Sequence, residues 1–306
     1  MDISIVYMQL FVLFSLMAVG FALRRLKILD DKANDILTHL VLKVALPATI
    51  VMGITGASGV RENVYLLYVI GVSFLVYIVL GLLAVISSRL IRAKTSEDVG
   101  AFANISMFGN VAYLGIPLTI ALFGPESVFY AVLFNLVSNL IAFSIGIKLL
   151  GGSKAKFAPK LIFNTLMNIS LVAIVLFLLD VQIPALIQMP LTHLRNMLTP
   201  MGMILLGSIL GGMDMKEVFL GWRIYVAIAF KLLLAPVAVF LLLSQFITNP
   251  VMLSIFVLLS ASPTAPRTAM LCLRYGGNFK LVSQGIFLGT MLSVVTIPLL
   301  IHLLGL

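Results

Sequence analysis

Charge is scarce in this sequence: Asp, Glu, Lys and Arg make up only 10% of its 306 residues. A soluble domain carries about 25%. With 61% of its residues hydrophobic, the chain reads as an integral membrane protein whose first partner is the lipid bilayer. Cysteine is nearly missing as well. Cys272 stands alone in an apolar stretch, which excludes a disulfide framework or a multi-cysteine metal site within one chain. No glycine-rich phosphate loop, nucleophile elbow or zinc-binding helix occurs in a suitable setting, so nothing points to an enzyme, a cofactor or a bound metal. Carboxylates are missing from the interior of the apolar stretches: Asp35 and Asp180 lie near ends, and none lies deeper. Sodium sites and proton relays of carriers are often built on membrane carboxylates, so coupling to Na+ or H+ has no evident seat and stays open. Basic residues are also missing ahead of the first apolar stretch, which has Asp2 before it and Arg24, Arg25 and Lys27 after it. A cleaved signal peptide has the opposite order, so this segment is expected to be retained.

Taking about 20 apolar residues per crossing, ten spans are expected, at 4–23, 33–55, 64–88, 99–122, 127–149, 160–179, 186–210, 222–245, 250–274 and 280–304. A net charge of +9 would suggest nucleic acid in a soluble protein. Here the basic residues fall in short loops between spans as topogenic charge, so no nucleic-acid partner is expected. Of the twenty, fifteen lie in odd-numbered loops and only Arg61 and Arg195 in even-numbered ones; Lys43, Lys231 and Arg267 lie inside spans. The odd loops are therefore expected to face the cytoplasm and both termini the other side, as in a bacterial inner membrane.

A basic linker at 151–159 divides the chain into a first repeat, 1–150, and a second, 160–306, of five spans each. An odd number of spans inverts the second repeat. Leu37-Thr38-His39-Leu40 in span 2 recurs as Leu191-Thr192-His193-Leu194 in span 7, followed by Pro47 and Pro200 respectively. Phe123-Gly124 and Tyr275-Gly276 end spans 4 and 9 in the same way. The expected fold is all-α: ten transmembrane helices as a 5+5 inverted repeat, with helices 4 and 9 broken and crossing.

The breaks carry the functional argument. Span 4 holds Gly109-Asn110 and Gly115-Ile116-Pro117; span 9 holds Ser262-Pro263-Thr264-Ala265-Pro266-Arg267-Thr268. Proline removes a backbone donor and glycine loosens a helix, leaving peptide groups free in mid-membrane for a polar solute. Interrupted helices at matching places in two halves point to a transporter's substrate site. Asn110 lies near the midplane, where it either bonds a neighbouring helix or contacts substrate, while Asn104, nearer the end of the span, reads as structural. Arg267 is about seven residues, roughly 10 Å of helix, from Arg274 at the cytoplasmic end of its span. It either snorkels to that interface or clamps a carboxylate. Ser262, Thr264 and Thr268 offer hydroxyls on the same segment; Gly109, Gly115, Pro117, Pro263 and Pro266 are read as crossover or hinge residues. Lys43 and Lys231 are also deep, and this buried positive charge points to an anionic solute. His39 and His193, near span ends, are read as interfacial packing.

The run Gly109-Asn110-Val111-Ala112-Tyr113-Leu114-Gly115-Ile116-Pro117-Leu118, the following Leu122-Phe123-Gly124, and Ser262-Pro263-Thr264 with Tyr275 resemble the auxin efflux carrier family, bacterial permeases related to the PIN-type auxin carriers of plants. The resemblance implies a fold shared more distantly with bile-acid sodium symporters. It also implies transport of organic anions such as mono- or dicarboxylates, with Asn110 as a substrate contact and Pro117 and Pro263 as crossover prolines. Thr264 stands where plant members carry a polar residue, whereas Arg267 has no counterpart in the family pattern. The large cytoplasmic loop of long plant carriers is missing, which argues against auxin itself. The expected activity is secondary carriage of small organic anions by alternating access of elevator type, and a homodimer is compatible with it. A sodium-coupled symporter and a non-turnover anion channel are the competing readings.

Overall fold

The computed structural model describes residues 3–55, 63–93, 95–151, 165–213, 219 and 221–305, and every regular element among them is helical. The linker beyond Gly151, the first residues of span 6 and the loop cations Arg61, Lys94, Lys154, Lys156, Lys160 and Lys216 lie outside the described residues. Among the described residues, six helices are long and apolar enough to cross a membrane. They are α1 (Ile3–Arg25), α2 (Asp31–Thr55), α3 (Asn63–Ile91), α6 (Pro125–Gly151), α10 (Trp222–Leu243) and α13 (Phe279–Leu304). Shorter helices occupy the rest of the expected spans: α4 (Ser96–Met107), α5 (Val111–Phe123), α7 (Thr165–Leu178), α8 (Ala185–Asn196), α9 (Leu198–Gly211), α11 (Pro250–Ser260) and α12 (Pro266–Tyr275).

Local chemistry accounts for the ends. Thr95 caps α4 through the Asp98 N–H, Asn249 caps α11 through the N–H groups of Val251 and Met252, and Asn278 caps α13 through that of Leu281. Both α5 and α12 stop at a glycine with positive φ, Gly124 (φ 82) and Gly276 (φ 98), a conformation that only glycine adopts at no steric cost. Proline also widens helices from within. Val41–Ala45 in α2, Val111–Gly115 in α5 and Phe230–Leu234 in α10 are π-turns, and each is followed two residues later by a proline, Pro47, Pro117 or Pro236. The ring cannot share space with the carbonyl four residues back, and a wider turn gives that carbonyl another donor. A fourth π-turn, Ala142–Gly146 in α6, has no proline; there Ser144 Oγ donates back to the Leu140 carbonyl at 2.7 Å.

The helices gather into two compact units, each drawing on both halves of the chain. The first comprises Met1–Ile70, Ala112–Leu136 and Phe163–Met213. In it α1 packs along α9, while α2 packs against α7 and α8. The second comprises Gly71–Val111, Val137–Ile162 and Asp214–Leu306. In it α4 packs against α6, α10, α12 and α13. Close approach there depends on glycine: a Cβ on Gly100 would overlap the Leu149 carbonyl of α6.

Candidate functional site

Between α4 and α5 the chain leaves the helix at Phe108–Asn110, and between α11 and α12 it does so at Ala261–Ala265. Within the second unit these two stretches meet. Gly109 and Thr264 form an isolated antiparallel bridge. The Asn110 N–H donates to the Pro263 carbonyl at 2.7 Å, and the Ala265 N–H donates to the Phe108 carbonyl at 3.1 Å. Each stretch thereby satisfies backbone groups of the other, as chain buried in an apolar interior requires. Thr264 Oγ1 adds a bond to the Ile105 carbonyl of α4 at 3.2 Å. The sequence explains why the chain opens here. Pro263 and Pro266 supply no N–H, and Ala265, the residue before a proline, is extended at φ −72, ψ 135. Gly109 leaves room for the crossing: a Cβ there would lie 3.1 Å from the Ser262 carbonyl oxygen, 3.2 Å from Lys231 Nζ and 3.3 Å from the Leu259 carbonyl oxygen.

Two cations flank the crossing. Arg267, in the first turn of α12, donates from Nη1 to Asn139 Oδ1 and from Nη2 to Ser138 Oγ on α6. Its guanidinium lies 5.9 Å from the ring centroid of Phe108, within cation–π range. Tyr77 of α3 donates to the same Ser138 hydroxyl. With both Nη atoms engaged, the buried Nε has no hydrogen-bond partner among the described residues. Lys231, in the π-turn of α10, is 1% exposed and donates to the Met107 carbonyl at 3.4 Å.

Of the residues singled out in the sequence, the structure brings together Gly109, Asn110, Ser262, Pro263, Thr264, Pro266, Arg267 and Thr268 within one unit. Asn110, Ser262, Thr264 and Thr268 are all buried. Their hydroxyls differ in what they can still do. Ser262 Oγ donates to the Leu258 carbonyl at 3.4 Å and Thr264 Oγ1 to Ile105, whereas the Thr268 hydroxyl makes no hydrogen bond among the described residues. Gly115 and Pro117 fall in the other unit on α5, where the Gly115 carbonyl accepts from Thr119 Oγ1 at 2.8 Å. Asn104 ties α4 to α6, its Nδ2 donating to the carbonyls of Gly100 (2.9 Å) and Gly146 (3.3 Å). Lys43, His39 and His193 are exposed. Reasoning from sequence left Lys231 off the crossing and missed Tyr77, Ser138 and Asn139; the one available signal was a Ser-Asn pair inside an apolar span.

A helical chain with six membrane-length helices and a hydrogen-bonded, cation-flanked opening inside its helices has the build of a membrane transporter. A family model described as "Membrane transport protein" matches residues 5–166 and 153–301. The chain belongs to this family, the auxin efflux carrier permeases. An uncharacterized transporter of Methanocaldococcus jannaschii is 28% identical over 296 residues, covering 93% of this chain and 94% of the relative. An uncharacterized transporter of Methanothermobacter thermautotrophicus is 24% identical over 291 residues, covering 93% of each.

Proposed function

We propose that this transporter is a secondary carrier of small organic anions, mono- or dicarboxylates, working by alternating access. The observation that carries this reading is the bridge between Gly109 and Thr264. From its two strands of extended chain, α5 starts at Val111 and α12 at Pro266, so two helix N-termini begin at the crossing. The partial positive charge of such ends favours an anion. Asn110, the free Nε of Arg267 and the uncommitted hydroxyl of Thr268 supply side-chain donors on the same segments. The absence of any deep carboxylate in the sequence leaves this positive field uncancelled.

In this reading α4 with α5 is span 4, α8 with α9 is span 7 and α11 with α12 is span 9, which gives ten spans in a 5+5 inverted repeat. An elevator motion would carry spans 4 and 9 with their neighbours against a scaffold of spans 1, 2, 6 and 7. The gathering of α1, α2, α7, α8 and α9 into one compact unit, and of α4 and α10–α13 into the other, supports that division in part; α5, the second half of span 4, belongs to the first unit. The excess of basic residues in odd loops supports cytoplasmic odd loops and non-cytoplasmic termini in a bacterial inner membrane.

The test is uptake of labelled mono- and dicarboxylates into proteoliposomes. Saturable uptake with counterflow is expected, because a carrier exchanges bound substrate whereas a channel does not. Asn110→Ala is expected to lower the rate at least tenfold with unchanged insertion and thermal midpoint. Uptake unaffected by the substitution would remove Asn110 from the site, and flux without counterflow would replace the carrier with a channel.

A further inference from the structure

Away from the crossing, the second unit has a cavity of about 210 Å³ where α4, α10 and α13 begin. At about 30 Å³ per water molecule it takes about seven water-sized groups, the scale of a small polar headgroup. Part of its lining is apolar and buried, from Phe102 and Ile224. Two opposite charges line it as well: Asp98 in the first turn of α4 and Arg223 in the first turn of α10. They form no ion pair with each other. Asp98 Oδ1 accepts from Asn278 Nδ2 at 2.8 Å, which holds the carboxylate beside the start of α13, and Oδ2 has no partner among the described residues. Arg223 makes no hydrogen bond or ion pair among the described residues, although its Nε is buried. Its guanidinium lies 5.8 Å from the ring centroid of Trp222, within cation–π range.

An arginine that serves only to orient a span reaches out to water with its donors. Here one donor is shut away from water, which costs free energy until an acceptor arrives. The planar fork of a guanidinium matches phosphate oxygens. A bare phosphate in this cavity would be repelled by Asp98, whereas a group that carries phosphate and ammonium together satisfies both charges. Trp222, the one tryptophan of the chain, is exposed and opens a helix of membrane length. Tryptophan in that position marks the level of lipid headgroups. Basic pockets between transmembrane helices on the cytoplasmic side bind such headgroups, and in the orientation proposed above this is that side. We infer that the cavity binds a phosphoethanolamine group, with Arg223 on the phosphate and Asp98 on the ammonium. The group is presented by a membrane phospholipid or by a soluble phosphoamine. The inference is independent of what the crossing carries.

The experiment has two arms, both on the purified full chain. Native mass spectrometry measures binding of phosphatidylethanolamine and of phosphatidylglycerol with the same acyl chains. The thermal midpoint is read with O-phosphoethanolamine and with inorganic phosphate, because a ligand of the native state stabilises it. A lipid source predicts that wild type binds phosphatidylethanolamine about tenfold or more tighter than phosphatidylglycerol. A soluble source predicts a midpoint raised by O-phosphoethanolamine and not by inorganic phosphate. In whichever arm responds, Arg223→Gln should weaken binding by about tenfold or more, and Arg223→Lys should recover part of it. Asp98→Asn keeps an oxygen for Asn278 but loses the charge, so it should erase the preference for the ammonium-bearing ligand. Wild type without a preference in either arm overturns the inference, and so does a folded Arg223→Gln that binds as wild type does. Should Arg223→Gln fail to insert, wild type and Asp98→Asn still decide: a preference that survives Asp98→Asn overturns the assignment of the ammonium.

Discussion

Two glycine-mediated contacts in this molecule serve opposite ends. Along α1 and α9, Gly20 rests on the backbone of Ile204 and Gly207 on that of Met17, so closely that a Cβ on either would overlap a carbonyl oxygen. Around them lie buried apolar residues, Leu10, Leu13, Met17, Leu205 and Leu206. At the crossing, Gly109 admits a chain and an ammonium group at 3.1–3.3 Å from its would-be Cβ, among Asn110, Ser262, Thr264 and Lys231. The first contact brings two helices together with nothing polar left over. The second brings two helix interruptions together and gathers charge around them. Small residues let membrane helices approach in both cases; what the approach is for is decided by whether proline has freed the backbone nearby.

The α1–α9 seam should therefore break hardest. Gly207→Ala cannot be absorbed by a flexible side chain, because the atom it meets is the main-chain carbonyl of Met17. Forcing a methyl group into such a contact costs about 3 kcal/mol. A large fall in thermal midpoint and in monodisperse yield from detergent is expected. A variant with wild-type midpoint would mean that the helices are free to part, and the contrast with the crossing would collapse.

At the crossing the effect should be smaller and of a different kind. Ser138→Ala removes the acceptor of Arg267 Nη2 and the partner of Tyr77 OH, while Asn139 keeps Nη1. A hydrogen bond to a charged group contributes about 2 kcal/mol, so a moderate drop in midpoint is expected. Arg267 would then be less firmly held over Phe108, and the apparent KM for the anion should change along with stability. A lower midpoint with unchanged KM would assign Arg267 to packing alone.

These contacts also mark how far the sequence could be read. Features set by neighbours along the chain were legible: Pro263 and Pro266 where the chain leaves the helix, and the glycines at which α5 and α12 stop, Gly124 and Gly276. The three π-turns that precede Pro47, Pro117 and Pro236 follow from the same local sterics. The partners of the buried cations were not legible. Lys231 and Met107 are 124 residues apart, and Arg267 lies 128 and 129 residues from Asn139 and Ser138. Such pairings depend on how helices pack, and composition within a span says only that a polar group needs a partner. Hydroxyl roles stayed undecided for a related reason, since Ser262, Thr264 and Thr268 look alike until their acceptors are known.

Thr264 gives the finest test of the comparison. Its hydroxyl has one proton, and that proton is spent on the Ile105 carbonyl. A carboxylate offers only acceptors, so Thr264 could donate to it only by giving up α4. Thr264→Val keeps the shape of the side chain and deletes the bond, leaving a buried carbonyl short of one donor. The expected loss is about 1 kcal/mol, seen as a small fall in midpoint, with KM for the anion within a factor of a few of wild type. Thr268→Val, which deletes an uncommitted hydroxyl, should do the reverse: little change in midpoint and a clear rise in KM. If instead Thr264→Val raised KM tenfold at unchanged stability, the Ile105 bond would be one that substrate displaces, and the polar face of the crossing would belong to the anion rather than to the fold.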